Sequence, residues 1–441
     1  MAERLRGLAT LKWSALVMLV IAGVWTLSLS RPAVWNATGI GQSGVPFFDL
    51  YGLLAAGELA ALGGNPYALN PLDPYLRPHV YTGWWLATGS IGLTRADTLW
   101  LGRLQLALTL VAAIALIRPR RASEALFMIA VLASPALLMA VNRGNNDLVV
   151  FIVLCGALGC LRQATPGFRL LGAIFVATAA VLKYYPLAAI GVALAARSRR
   201  EFWLAIGATA LVLLLAWPDL APGLASAGRF KPSPQGLYAF GAPALFIALE
   251  LRSPNSWALA AGLLVAALSG WSTREQWKQP PGSAPPRTLD LEFFCGAALI
   301  VGCFSLGASY VYKMIFAVWL LPRLWTSGAS PAATLRLRLT RRILLAMLWF
   351  EGVTAIVINT LIGPRSVSLA NEVLSAAIVT SQLLTWLLIA LLSRELAAWG
   401  ISQGRRLFGS GSAPSLTAIR AEGSAVRVPP SPSDADPARN W

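Results

Sequence analysis

Apolar runs that match the thickness of a lipid bilayer recur along this chain, and they constrain its fold more than any other feature. Residues 11–30 and 341–362 are two of these runs. A helix needs about 20 apolar residues to cross the hydrocarbon core of a membrane, which is roughly 30 Å thick. Charged residues make up only 12% of the chain, about half the share found in a soluble domain. The sequence therefore predicts an all-α polytopic membrane protein.

The lengths of the runs and the chemistry of the loops between them predict about twelve transmembrane helices. These lie near residues 12–30, 96–117, 124–141, 147–161, 169–182, 185–196, 202–217, 240–270, 291–307, 311–322, 343–362 and 373–392. The run 240–270 contains Pro243, Arg252 and Pro254, so we expect a broken or doubled span there. Residues 1–401 thus form one multi-span transmembrane domain. Residues 402–441 are rich in Ser, Pro, Gly and Ala, which predicts a disordered cytoplasmic tail.

The basic residues of the chain give it a formal net charge of +17, with 36 Lys and Arg against 19 Asp and Glu. Such a charge is typical of nucleic-acid-binding proteins, but here the basic residues stand between apolar runs. With the N-terminus in the cytoplasm, the predicted spans place 25 of the 36 basic residues on the cytoplasmic side. An excess of Lys and Arg in the cytoplasmic loops is the feature that sets the orientation of membrane proteins. We therefore predict a multi-pass protein of the cell (inner or plasma) membrane, with both termini cytoplasmic and no nucleic-acid partner.

Few residues suit metal or covalent chemistry. The four cysteines, Cys155, Cys160, Cys295 and Cys303, lie in apolar runs, and His79 is the single histidine. This inventory argues against a zinc site and against a histidine-based catalytic triad. No metal-binding pair of aspartates is evident in the exterior loops. We expect neither a metal nor a cofactor.

The longest exterior segment of the predicted topology spans residues 31–95 and contains the sequence FFDLYGLLAAGELAALGG. Its apolar residues recur at helical spacing, which predicts an amphipathic helix on the outer surface of the membrane. Two tryptophans follow at Trp84 and Trp85. They are either anchors at the membrane interface or a surface on which a sugar ring stacks.

Ionisable residues near a membrane are energetically costly, which makes them functional candidates. Those on the exterior side of the predicted topology are Asp49, Asp73, Arg143, Asp147, Lys183, Arg229, Lys231 and Lys313. Carboxylates and cations that come from several loops predict a shared pocket. Its composition suits an anionic phosphate group beside a hydroxyl that must lose its proton.

Several of these candidates also have a purely structural interpretation. Asp49 precedes an apolar helix and suits an N-cap, and Asp73 stands in a turn sequence. Lys183 and Lys313 can extend their ammonium groups to the membrane interface. His79 lies in a loop rich in Pro and Tyr, where a structural role is the usual one.

The sequence NRGNND offers a further structural alternative. Arg143 and Asp147 can form a local ion pair across a turn between two helices. Asn145 and Asn146 then serve as turn formers. The sequence alone leaves this alternative and the binding role open.

Four motifs stand in a consistent order along residues 45–325. They are DLYGLLAAGELAALGGNPYALNP, NRGNNDLVVFIVL, VLKYYPLAAI and SYVYKMIFAVWLLP. Together they resemble a family of bacterial membrane glycosyltransferases of the GT-C type, related to the polyprenyl-phosphate-mannose-dependent alpha-1,2-mannosyltransferases. The first motif matches the family pattern at Asp49, Tyr51, Ala55, Ala56, Gly63, Gly64, Pro66 and Tyr67. The late loop departs from it, because Tyr312 and Lys313 stand where those mannosyltransferases carry a histidine.

The resemblance implies a hexosyltransferase-type enzyme whose active site faces the exterior. Its donor would be a polyprenyl-phosphate-linked sugar (mannose or another hexose or pentose), and its acceptor a hydroxyl on a lipid or glycan. Asp49 would be the general base, with Arg143, Lys183 and Lys313 binding the donor phosphate. The other motif residues implied to bind substrate are Tyr51, Tyr67, Asn145, Asn146, Asp147 and Tyr312.

A transporter or a flippase of lipid-linked saccharides is the competing prediction, since twelve spans suit that class equally well. Charges that line a path through both leaflets would favour transport. Charges that converge in one exterior pocket would favour a transferase. The sequence has no clear internal repeat, and this absence weakens the hypothesis of a transporter or flippase. A non-catalytic assembly partner is a third alternative.

Overall fold

Helices dominate the computed structural model, which describes residues 2–40, 44–230, 236–274, 289–325, 331–362 and 365–408. The α-helices are α1 (Ala2–Ser30), α2 (Pro32–Thr38), α3 (Phe48–Ala61), α4 (Ala87–Ser90), α5 (Thr98–Ile117), α6 (Ala122–Leu132), α7 (Pro135–Arg143), α8 (Asp147–Leu161), α9 (Pro166–Lys183), α10 (Arg199–Leu215), α11 (Trp217–Phe230), α12 (Ala242–Ala248), α13 (Pro254–Ser272), α14 (Leu289–Ser305), α15 (Leu321–Leu324), α16 (Pro331–Val357) and α17 (Val367–Phe408). The 3₁₀ helices are Gly83–Leu86, Arg95–Asp97, Tyr185–Ala195 and Val311–Leu320, and a π-helical turn spans Ile358–Ile362. Strands β1 (Ala239–Phe240) and β2 (Ser309–Tyr310) pair antiparallel.

The protein is an all-α membrane protein. Five stretches of the described helices are long and apolar enough to cross a membrane, namely Thr10–Ser30, Arg95–Ile117, Pro166–Lys183, Pro331–Ile362 and Val367–Phe408. The bent pairs α6–α7 and α10–α11 raise this number to seven if each pair is one span.

Helices occupy the apolar runs of the sequence. The run 240–270 is broken as expected, into α12 and α13, with Pro254 at the first turn of the second helix. Two of the shortest runs form the 3₁₀ helices Tyr185–Ala195 and Val311–Leu320. A 3₁₀ helix rises about 2.0 Å per residue against about 1.5 Å in an α-helix. These short segments therefore reach further than their residue count suggests.

The 3₁₀ helix Val311–Leu320 lies at the centre of the helix bundle, because all of its residues are buried. Trp319 stacks on Phe151 of α8 at 5.0 Å between ring centroids, and Phe316 contacts both rings. A helix that is apolar on all sides is stable only when protein or lipid surrounds it completely. This segment carries Lys313 into the interior of the protein.

A bend of 55° separates α6 from α7. Pro135 begins α7 and the Ser134 hydroxyl caps it, accepting a hydrogen bond from the Leu137 amide. At the end of α6, the carbonyl of Leu132 accepts a hydrogen bond of 2.9 Å from the indole of Trp25 on α1. The break is thus bridged by a side chain from another helix.

Part of the predicted exterior segment forms the helix α3, whose residues 53–57 are all buried, and the amphipathic character of this helix stays a prediction. Small side chains allow this close packing, because a Cβ atom on Gly89 would lie only 2.0 Å from the Gly57 carbonyl oxygen. The middle of α3 is therefore enclosed by protein. Its position on the outer surface of a membrane stays a prediction.

The C-terminal helix α17 continues to Phe408, past the predicted domain boundary at 401. Its last turn is held at the start of α10, where Arg199 donates to the Leu407 carbonyl at 2.6 Å. Arg406 donates to the Ala196 carbonyl at 2.5 Å. The first residues assigned to the tail are therefore helical, and residues 409–441 lie outside the described part of the chain.

Candidate active site

Asp49 lies in the first turn of α3, opposite the end of α7. The amide of Phe47 donates to the Asn142 carbonyl at 3.1 Å, which fixes the start of α3 against α7. The N-cap position belongs to Phe47, which has a φ of 51° and no side-chain cap. The N-cap interpretation of Asp49 is therefore wrong, and its carboxylate is available for partners outside its own helix.

The Asp49 carboxylate is held by side chains that lie far away in sequence. Arg143 binds it through two hydrogen bonds of 2.8 Å, from Nε to Oδ2 and from Nη2 to Oδ1. The Asn145 amide donates to Oδ2 at 2.6 Å, and Arg77 Nη1 lies 3.5 Å from Oδ1. The predicted local ion pair of Arg143 with Asp147 does not form, because Arg143 pairs with Asp49 instead.

The protonation state of Asp49 follows from these contacts. Burial opposes the charged form and would raise the pKa of the carboxyl. The charge of Arg143 and the hydrogen bonds from Arg143 and Asn145 outweigh burial and hold the pKa below its ordinary value of 3.8. Asp49 is therefore ionised at neutral pH and able to accept a proton.

Arg77 belongs to the site, although the sequence analysis did not single it out. Its guanidinium bridges Asp49 and Asp73, with Nη2 at 2.8 Å from Asp73 Oδ2. It lies 3.4 Å from the centroid of the Phe48 ring. Asp73 also accepts from the Tyr75 amide at 2.9 Å, as the turn interpretation predicted. Asp73 and Arg77 stand in a loop rather than in a helix, so the helical i,i+4 rule gives no sequence signal for this pair.

A second ion pair lies beside the first. Lys183 Nζ contacts Asp147 Oδ1 and Asn146 Oδ1, each at 2.5 Å, and Asn145 Oδ1 at 3.1 Å. Asn145 thus bridges the two pairs, since its amide nitrogen binds Asp49 and its oxygen binds Lys183. Asn145 and Asn146 therefore form hydrogen bonds within the network as well as standing in the turn.

Lys183 and Lys313 are both buried, so neither extends to an interface. Lys313 is 8% exposed, and its Nζ lies 4.8 Å from the centroid of the Tyr185 ring. The Tyr185 hydroxyl donates to Asp147 Oδ1 at 2.7 Å, which connects Lys313 to the Lys183 pair. Among the described residues, Lys313 Nζ has no carboxylate or other hydrogen-bond acceptor. In the described part of the chain, Lys313 is therefore a buried cation without an anionic partner.

The late loop is held in place by a buried polar contact between α16, α17 and β1. Glu351 Oε2 accepts from the Tyr238 amide at 2.6 Å, and Gln382 donates to the Ala239 carbonyl at 2.8 Å. Because β1 pairs with β2, these contacts position the residues that follow β2. There Tyr312 stacks on Tyr310 at 5.6 Å, and Lys183 lies 5.7 Å from the Tyr312 ring centroid.

Tyr67 lies in an aromatic cluster with His79 and Tyr81, rather than on Asp49. The His79 ring centroid is 5.5 Å from that of Tyr67 and 5.7 Å from that of Tyr81. His79 is buried, and its Nε2 contacts the Thr82 carbonyl at 3.1 Å, consistent with a structural role. Tyr81 leads back to the site, because Lys183 lies 5.4 Å from its ring centroid.

Other candidates lie outside the network. Tyr51 interacts with Arg95, which forms an ion pair with Glu58 at 2.9 Å. The indole of Trp85 donates to the Leu182 carbonyl at 2.9 Å, while Trp84 is exposed. Arg229 is exposed at the end of α11. The remaining candidate cation, at 231, lies outside the described residues.

The network is open at one end and closed at the other. Its side-chain exposures are 31% for Arg77, 24% for Arg143, 11% for Asp49, 9% for Lys183 and 0% for Asp147. A molecule arriving from solvent therefore meets the Asp49 pair before the Lys183 pair.

The described residues contain no cluster of three or more His, Cys, Asp or Glu side chains that suits a metal ion. No protein-family model, curated protein or solved structure matches the chain. The function is therefore argued from the four motifs and from the geometry of the site.

Proposed function

We propose that this protein is a GT-C-type membrane glycosyltransferase. It moves a hexose or pentose from a polyprenyl-phosphate donor to an acceptor hydroxyl of a lipid or glycan on the exterior face. The observation that carries the proposal is one connected site that holds an ionised carboxylate, Asp49, and a buried cation without an anion, Lys313. A base for a hydroxyl and a vacant cation for a phosphate are the two groups this reaction needs.

Asp49 acts as the general base. Its oxygen takes the proton of the acceptor hydroxyl as that oxygen bonds to the anomeric carbon. The bond from this carbon to the donor phosphate breaks on the opposite face, and the electron pair leaves with the polyprenyl phosphate. One displacement of this kind inverts the configuration of the sugar.

The charges of the site suit this reaction. Four cations (Arg77, Arg143, Lys183 and Lys313) and three carboxylates (Asp49, Asp73 and Asp147) leave one net positive charge. The phosphodiester of the donor carries one negative charge, so binding neutralises the site.

The balance between the cations and carboxylates of the site also changes during the transfer step. Once Asp49 holds the proton, it no longer neutralises Arg143. The leaving phosphate gains a second negative charge at that moment, and Arg143 becomes free to stabilise it.

The predicted topology has about twelve spans and both termini cytoplasmic, and two contacts join residues that it places on the same side. At the predicted exterior end of the span 343–362, the Asn359 amide donates to the Asn36 carbonyl of the first predicted exterior segment at 2.9 Å. On the predicted cytoplasmic side, the Trp325 indole donates to Ser123 at 2.9 Å.

A transporter or flippase of lipid-linked saccharides is the second candidate. It predicts charges distributed along a path between the two ends of the bundle. The convergence of Asp49, Arg143, Lys183 and Asp147 at one end favours the transferase.

The decisive experiment incubates the purified protein with a panel of polyprenyl-phosphate sugars and hydroxyl acceptors, and it follows release of polyprenyl phosphate. Asp49→Asn should reduce sugar transfer by at least about 100-fold, because general-base catalysis is worth about 10²–10⁴-fold. Asp97→Asn, at the start of the predicted span 96–117, is the matched control. Its carboxylate accepts from Trp100, outside the network, so transfer should stay within about twofold of wild type.

Two outcomes would contradict the proposal. One is an Asp49→Asn protein with full transfer activity. The other is wild-type protein in liposomes that moves a fluorescent lipid-linked sugar between leaflets without consuming it, which would support the flippase.

A further inference from the structure

We propose that the protein has a second anion site, at the end of the bundle opposite Asp49, which binds the phosphodiester headgroup of an anionic membrane phospholipid. Its cations are Arg338, Arg341 and Arg342 of α16, and its aromatic wall is Trp325. The site does not depend on the proposed transfer reaction.

The site is a cavity of about 430 Å³, between α15 and the first turns of α16. Its lining is Leu324, Trp325, Thr334, Leu337, Arg338, Arg341 and Arg342. The described residues that line it include three guanidinium groups and no acidic side chain. A volume of this size accommodates a phosphate headgroup.

The three arginines have no anionic partner in the described part of the chain. Within the described ranges, none of them forms an ion pair, whereas the neighbouring Arg336 pairs with Glu395 at 3.4 Å. The Arg341 guanidinium carbon lies 4.3 Å from the centroid of the Trp325 ring. Trp325 is itself fixed by its hydrogen bond to Ser123 and by an edge contact with Phe127. This arrangement orders one guanidinium at the cavity before any ligand binds.

Charge bias alone explains basic residues at the end of a span, but it does not explain their convergence. Guanidinium groups bind phosphate oxygens through pairs of parallel hydrogen bonds. Basic pockets between membrane helices are suited to anionic lipid headgroups.

The surface beside the cavity identifies the ligand as a lipid rather than a soluble phosphate. Leu335 and Leu339 are 66% and 42% exposed on the same helix. At about 100° per residue, these leucines share an arc of about 100° with Arg338 and Arg342. Exposed leucines next to exposed arginines provide an apolar path for acyl chains that leave the headgroup.

The arginine site and the Asp49 network lie at opposite ends of α6 and α7. Trp325 contacts Ser123 at the start of α6, whereas Arg143 ends α7. The intervening helices extend roughly 30 Å along the chain at about 1.5 Å per residue, shortened by their bend. The lipid site therefore faces the leaflet opposite the reaction.

The test measures lipid retention by the full-length protein after purification from bilayers of phosphatidylcholine and phosphatidylglycerol, using native mass spectrometry. Wild type should retain phosphatidylglycerol in preference to phosphatidylcholine. The variant Arg338→Gln/Arg341→Gln/Arg342→Gln should lose this retention by at least about tenfold. The control Arg118→Gln/Arg120→Gln/Arg200→Gln removes the same charge from exposed residues outside the cavity, and should retain lipid like wild type.

If the glutamine variant does not purify, Arg338→Lys/Arg341→Lys/Arg342→Lys keeps the charge and removes the paired hydrogen bonds. It should weaken retention by at least about threefold. Equal retention by wild type and the cavity variants, or no preference for phosphatidylglycerol in wild type, overturns the proposal. Displacement of the lipid by inorganic phosphate at an equal concentration overturns the lipid assignment and indicates a soluble anion.

Discussion

At the scale of single residues, the partners of each charge decide what it can do. Arg143 and Lys183 are both neutralised by carboxylates, whereas Lys313 is buried and has no anion among the described residues. The resemblance assigned the same role to all three cations. The structure distinguishes them, because Arg143 and Lys183 already have carboxylate partners, so under the proposed function a bound phosphate would be the counter-ion of Lys313.

This difference predicts opposite effects on stability for two similar substitutions. Lys313→Met removes an unpaired buried charge and should leave the thermal midpoint unchanged or raised. It should raise the KM for the lipid donor by at least about tenfold, since a charge-assisted contact contributes about 1.5–3 kcal/mol.

Lys183→Met leaves Asp147 buried and unpaired, and should cost about 3 kcal/mol or more. Thermal unfolding and donor titration check both. A large loss of stability in Lys313→Met would assign Lys313 a structural role.

His79 predicts a pH dependence of stability. Burial lowers its pKa from 6.5 to about 4, although the Thr82 carbonyl acts in the opposite direction. As the pH falls, His79 therefore binds a proton near pH 6.5 in the unfolded chain but only near pH 4 in the folded chain. Protonation thus stabilises the unfolded chain first, and the free energy of unfolding falls between these two pH values. The loss amounts to at most about 3 kcal/mol.

The measurement is a pH series of unfolding for wild type and His79→Gln, whose amide still provides a donor for Thr82. Because His79 is the single histidine, the stability of wild type relative to the variant should decline between pH 6.5 and 4. A constant difference across this range would contradict the assignment.

The sequence identified most of the residues in the site, but it did not identify how they pair. Asp49 and Arg143 are 94 residues apart, and no local pattern indicates such a contact. The local alternative, Arg143 with Asp147, was wrong because the turn at Gly144 directs their side chains to different partners. Long-range pairing depends on how helices pack, which periodicity does not specify.

At the scale of elements, the connection from α7 to α8 organises the site. Gly144 ends α7 in the left-handed region with a φ of 55°. A Cβ atom there would lie 2.8 Å from the Phe47 Cβ atom, at the start of α3. The same residue thus sets the direction of Asn145 to Asp147 and the approach of Asp49.

Gly144→Ala should therefore destabilise the protein by about 1–2 kcal/mol and reduce transfer by displacing Asn145 from Asp49. Gly159→Ala on α8 is the matched control. A Cβ atom there would meet nothing within 4 Å, so this change should be neutral or stabilise the helix by up to about 1 kcal/mol. Chemical denaturation and the transfer assay check both variants. Equal behaviour of the two alanine variants would show that this turn does not position the site.

The elements themselves were more predictable than their conformations. Apolar length and charge located the helices, including the break in the run 240–270. The 3₁₀ form of Tyr185–Ala195 and Val311–Leu320 was not predicted. Hydrophobic runs this short have no clear period, so their conformation depends on the helices that surround them.

At the scale of the whole molecule, the excess of basic residues in the predicted cytoplasmic segments predicts an orientation that can be measured. Leu69 is 65% exposed in the first segment predicted to be exterior, and Arg200 is exposed at the start of α10. With a membrane-impermeant maleimide on intact cells, Leu69→Cys should react, while Arg200→Cys should react only after permeabilisation. Wild type measures the background from the four native cysteines, of which only Cys160 is not buried. The reverse pattern would place Asp49 on the cytoplasmic side.

The bridge between Trp25 and the Leu132 carbonyl has a consequence for how the bundle assembles. Hydrocarbon supplies no hydrogen bonds, so a carbonyl released at a helix break must find a donor within the protein. The bend between α6 and α7 therefore favours packing against α1, because the Trp25 indole lies at the depth where it can donate to the Leu132 carbonyl. A phenylalanine at position 25 would fill most of the volume of the indole and leave the Leu132 carbonyl oxygen without a hydrogen-bond donor. The first helix of the chain is thus matched to a specific neighbour by a polar group, within an interface whose apolar surface alone is no more attractive than lipid.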